Sequence, residues 1–150
     1  MTYWTLVDDL LQAIPEVEPL LHEELDRWPD ILDLPHIVFG DVLNLFVIEL
    51  LSDSPANGEI LQRIFAFFEE MAISEDDNVV GVLMATVLFR LDAPDILPQQ
   101  ILFMGKHVKV ALELHRKQWV EIEEWTRQRE DNPRPHHPKR KASPPWKKGS

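Results

Sequence analysis

The sequence predicts an all-α domain of about six helices, packed as a compact bundle or as a short HEAT-like stack of helix pairs. Three observations carry that expectation. Apolar residues recur at helical spacing along nearly the whole chain. Ser, Asp and Pro fall where helices start and stop. No segment shows the strict alternation of a half-buried strand; MATVLF is β-branched, but it lies inside a longer 3.6-periodic stretch.

The first helix follows Thr5, with Asp8 completing a partial capping box, and its apolar face is Leu6, Val7, Leu10, Leu11 and Ile14. A second helix is expected from Pro19 to Trp28, ended by Pro29. A third runs from Pro35 to Leu51. Its apolar residues nearly encircle it, which marks a central, buried helix. Ser54 before Pro55 is a cap-then-first-residue signal for the fourth, which carries Ile60, Leu61, Ile64, Phe65, Phe68 and Met71. Ser74 with Asp77 three residues on starts the fifth, which turns Val79, Val80, Val82, Leu83, Val87, Leu88 and Leu91 inward. Asp92 and Pro94 open a connector or a single helical turn. A last helical stretch runs from Pro98 to Thr126, bent near Gly105, with Ile101, Leu102, Val108, Leu112, Trp119, Ile122 and Trp125 on its apolar face.

The chain of 150 residues has a net charge of −11, and that charge is unevenly spread. Residues 1–130 carry 9 Lys and Arg against 25 Asp and Glu, while residues 131–150 carry 6 against 1. Five of the twelve prolines lie in those last twenty residues, which hold too few apolar side chains to bury a core. The expected organisation is an acidic helical domain over 1–130 and a disordered basic tail over 131–150. The absence of cysteine excludes disulfides, a thiolate nucleophile and a cysteine metal site. The first residues lack a basic n-region and meet Asp8 and Asp9 early, unlike a signal peptide. No 18-residue apolar run is present to span a membrane. A cytoplasmic location and no membrane partner are therefore expected.

No catalytic signature stands out, and no cofactor is expected. Glu69–Glu70 and Glu75–Asp76–Asp77 are the dense carboxylate clusters. Adjacent carboxylates on a helix point about 100° apart and do not converge on one substrate; the plain reading is a solvated face with a favourable helix dipole. Asp41, Asn44 and Glu49 interrupt the most apolar helix and must find partners there. They are the candidates for a small enzyme or metal site, or else Asp41 or Glu49 is in an ion pair with Arg27, Arg63 or Arg90, or the polar residues cap a helix end. His22 and Asp26, four apart, suit two ligands on one helix face, but no second pair joins them. Lys139-Arg140-Lys141 and Lys147-Lys148 flank Trp146, a composition that contacts phosphates and stacks on a base. Nucleic acid is thus a partner open to the tail and repelled by the body.

The runs LPHIVFGDVLNLFVIELL, FAFFEEMAISEDDNVVGVLMATVLFRL and ILPQQILFMGKHVKVALELHRKQW resemble a bacterial family of small acidic proteins, a domain of unknown function. The resemblance covers roughly residues 5–125 and implies no catalytic residues. Small acidic bacterial proteins often act as immunity proteins that cover a toxin, an analogy of size and charge.

The leading expectation is a non-enzymatic interaction module that binds a basic protein, with charge speeding encounter and buried aromatics holding the complex. Its expected contact set is Trp28 and Phe67, the aromatics that a single apolar face explains least, with Glu69, Glu70, Glu75, Asp76 and Asp77. Phe67 is equally explained by a helix buried on two sides.

Overall fold

The computed structural model describes residues 1–131. Among them there are seven helices and no strand. The chain divides into two units, Met1–His115 and one that begins at Arg116.

In the first unit α1 (Leu6–Ala13) buries Leu6, Val7 and Leu10. Thr5 precedes it but does not cap it with its side chain. The Thr5 hydroxyl donates instead to Asp9 Oδ2 at 2.9 Å, so the expected capping box is absent. A 3-10 turn, Pro15–Val17, leads into α2 (Glu18–Leu25). That helix stops three residues short of Trp28, which accepts a backbone hydrogen bond from Ile31 in the next turn.

Helix α3 covers 35–51, the predicted span, but it is not regular. Its middle, Val38–Leu43, is π-helical between α-helical Pro35–Ile37 and Asn44–Leu51. Most of the encircling apolar residues are buried, among them Val38, Phe39, Val42, Leu43, Val47 and Leu51, but Leu45 is exposed, so the encirclement is not complete burial. Helix α4 (Gly58–Ala72) begins after Asn57 rather than at Ser54-Pro55, which lie in the preceding turns. Helix α5 covers 77–91 and is also π-helical at its centre, Val82–Leu88. Its cap is Asp76, whose Oδ1 accepts from Asn78 N at 2.9 Å, not Ser74. Asp76 Oδ2 also accepts from Tyr3 N at 2.8 Å, tying the chain start to this helix end.

Short α6 (Leu97–Gln100) and a 3-10 turn, Ile101–Phe103, form the connector. The expected bend near Gly105 is a break, and α7 (Lys106–Asp131) begins just after it. Ile101 and Leu102 are therefore not on the face of α7, and Leu102 is 90% exposed. Met104, Val108, Ala111 and Leu112 are the buried residues at this end.

Helix α3 is the centre of the unit and packs on α2, α4 and α5; α4 also meets α1 and the 3-10 turn at Ile101–Phe103. Aromatic stacking joins these layers. Phe39 lies parallel to Phe67 with centroids 6.2 Å apart, and Phe65 stacks on Phe103 at 6.0 Å. Such pairs contribute about 0.5–1.5 kcal/mol beyond their area burial. Arg63 on α4 holds the end of α1 in place, since it forks onto Glu16 and donates to the Ala13 carbonyl.

The two π-helical stretches face each other and are polar at the contact. Asn44, fully buried, donates Nδ2 to the Thr86 carbonyl at 3.1 Å. The Thr86 hydroxyl bonds to His36 Nδ1 at 2.7 Å, and Arg90 reaches the Gly40 carbonyl at 3.4 Å. A Cβ at Gly40 would sit 3.1 Å from Thr86 Cγ2, so glycine lets the helices approach this closely.

In the second unit, Arg116 to Asp131 continue α7. Arg129 lies over the Trp125 ring at 4.6 Å, a cation–π contact. Ile122 and Trp125 are about half exposed. No helix among the described residues is long and apolar enough to cross a membrane. The basic tail expected over 131–150 lies outside the described residues apart from Asp131, the last residue of α7.

Candidate functional site

The carboxylates at the end of α4 and the start of α5 have unlike fates. Glu69 turns to the start of α7 and caps it from another helix. Its Oε1 accepts from His107 N at 2.8 Å and its Oε2 from Val108 N at 2.9 Å. His107 Nδ1 lies 2.5 Å from the same Oε1. Two of the unpaired N–H groups that every helix start leaves are satisfied in this way. Burial raises the Glu69 pKa, but the hydrogen bonds from His107 and Val108 outweigh it and hold the carboxyl below its ordinary value. Asp76 is likewise committed to capping. Glu70, Glu75 and Asp77 are exposed.

The two expected aromatic contacts also separate. Trp28 is 43% exposed in the loop after α2. Phe67 is 3% exposed and belongs to the core, stacked on Phe39; the helix is buried on two sides. Only its rim touches a shallow depression of about 400 Å³ formed with Met1, Asp9, Gln12, Ala13 and Glu70.

Asp41, Asn44 and Glu49 do not converge. Asn44 points into the α3–α5 contact. Asp41 and Glu49 are exposed, and Asp41 lies 4.0 Å from Arg90 of α5. No histidine lines the groove they enter. His22 pairs with Glu18 at 3.6 Å rather than acting with Asp26. Among the described residues no group of three or more His, Asp or Glu is placed to hold a metal ion.

Asp41 and Glu49 instead share a groove between α2 and α3. It holds about 150 Å³ and is lined by the carboxylates Glu23, Glu24, Asp41 and Glu49 and by apolar Leu20, Val42, Leu45 and Phe46. Leu45 is 51% exposed on the otherwise most buried helix. Glu24 pairs with Arg27 at 3.1 Å. Glu23 and Glu49 have no Lys or Arg partner among the described residues. Sequence reasoning passed over Glu23, Glu24, Leu45 and Phe46. The signal was there: Asp41, Leu45 and Glu49 recur at i, i+4 and i+8, which places acid, apolar and acid along one stripe.

A family model described as "Domain of unknown function (DUF7674)" matches residues 7–112. No curated protein and no solved structure matches the chain.

Proposed function

Because the chain belongs to that family of unknown function, which transfers no activity, we propose from its own surface that it is a non-enzymatic module binding a basic protein in the cytoplasm. The form we favour is immunity-like: the protein neutralises a basic toxin by covering it. One observation carries this reading. Residues 1–115 hold 21 Asp and Glu against 5 Lys and Arg, and three of those five, Arg27, Arg63 and Arg90, are already paired within the chain. Most of the carboxylates therefore lack a basic partner and project a negative field. Such a field raises encounter rates with a positive surface and repels nucleic acid and anionic lipid. Glu70, Glu75 and Asp77 are the expected contact residues free to serve it; Glu69 and Asp76 support the reading less, being engaged in helix caps.

The test is to recover the partner with the full-length protein at low salt and measure its association rate against ionic strength. A basic protein whose rate falls steeply with salt is expected. Recovery of only neutral or acidic proteins, or a rate indifferent to salt, would overturn the reading.

A further inference from the structure

We propose that the α2–α3 groove is the docking seat for a cationic amphipathic helix of the partner, one that places an apolar side chain on Leu45 between two Lys or Arg residues. This rests on the basic-partner reading and gives it an address. At about 150 Å³ the groove is smaller than the roughly 300–1,000 Å³ of drug-sized ligand sites. Its lining is apolar in part, and the half-exposed Leu45 is left without cover on a helix whose other faces are buried. Four carboxylates line it, of which Glu24 pairs with Arg27 and Asp41 lies 4.0 Å from Arg90. Like charges held together on a surface repel, and Glu23 and Glu49 have no arginine or lysine to offset this. A cation brought from outside relieves that repulsion.

The spacing narrows the occupant to a helix. Asp41, in the π-helical stretch, and Glu49, in the α-helical one, stand eight residues apart, on the order of 10 Å along the axis, with Leu45 between them. A helix laid alongside presents the complementary basic–apolar–basic stripe at the same i, i+4, i+8 interval, the helix-in-groove mode of recognition. A polyanion or an anionic membrane would meet four carboxylates.

The test titrates isotope-labelled full-length protein with a helical leucine–lysine amphipathic peptide and, as control, a peptide of equal charge without leucine. The amphipathic peptide is expected to shift the resonances of Leu20, Leu45 and Phe46 first. Leu45→Lys is expected to weaken it on the order of tenfold, equivalent to about 1.4 kcal/mol, with helix content and Tm unchanged. Glu49→Lys, at an exposed position, is the second variant and acts in the same direction. If both peptides bind alike across the acidic surface, and Leu45→Lys costs no more than Glu75→Lys, the groove is refuted while the basic-partner reading stands. If neither peptide binds at low salt, both fall. A self-association abolished by Leu45→Lys assigns the groove to a second copy and overturns the proposal.

Discussion

Glu69 fills the space that a side chain at Gly105 would need. A Cβ built on Gly105 would lie 2.6 Å from Glu69 Oε2, the oxygen that accepts the Val108 N–H. The glycine and the carboxylate therefore work as one device. The absence of a side chain lets a residue of α4 reach the start of α7 and cap it across 38 positions of sequence.

Gly105→Ala is expected to push the carboxylate off its donors and cost about 0.5–2 kcal/mol, the usual range for a lost helix cap. In a Glu69→Ala background the same change is expected to cost only a few tenths of a kcal/mol, since there is no carboxylate to displace. Urea denaturation of the four-member cycle checks this; additive effects would show that the two residues act independently.

The cap also fixes a pH response. The folded Glu69 pKa lies below its ordinary value. Its stabilisation is therefore fully present above the unfolded carboxyl pKa of about 4.3 and is lost as pH falls through the folded pKa. Glu69→Gln is expected to flatten part of the acid limb of a stability–pH profile below about pH 5. Glu16, held low chiefly by its hydrogen bond with Arg63, contributes in the same direction. An unchanged limb in Glu69→Gln would count against the cap.

At the α3–α5 contact, Asn44 is fully buried and donates to Thr86 O, while its Oδ1 has no partner among the described residues. Asn44→Ala is expected to lose about 1–3 kcal/mol, because the Thr86 carbonyl then gives up a buried donor. Asn44→Asp should cost more, since a carboxylate there is buried and faces a carbonyl oxygen. Thermal unfolding of the two variants gives the order.

Phe67→Ala is expected to destabilise by about 3–5 kcal/mol, as for other buried aromatics. Trp28→Ala, at an exposed position in a loop, is expected to stay within about 0.5 kcal/mol of wild type. Chemical denaturation distinguishes them, and equal effects would contradict the burial difference.

These residues also show what the sequence made legible. The span and centrality of α3 were readable because an all-round apolar helix has nowhere to go but the middle. The two π-helical stretches were not, since segments that are apolar on nearly every side carry no sharp period in which one extra residue per turn would show. The starts of α4 and α5 were misplaced because Ser, Pro, Asn and Asp serve turns as well as caps; Ser74 lies in the turn before the true cap, Asp76. Glu69 read as a surface carboxylate because its ligands are set by tertiary packing. The groove's acid stripe was visible in part through Asp41 and Glu49, but not the contribution of Glu23 and Glu24, which depends on α2 lying beside α3.

The most direct test of the basic-partner claim is the association rate of the recovered partner with wild type and with Glu23→Gln/Glu49→Gln, measured across ionic strength. The wild-type rate is expected to fall steeply with salt, and the variant to associate more slowly with a shallower dependence. Superimposable, salt-independent rates for the two proteins would contradict that claim.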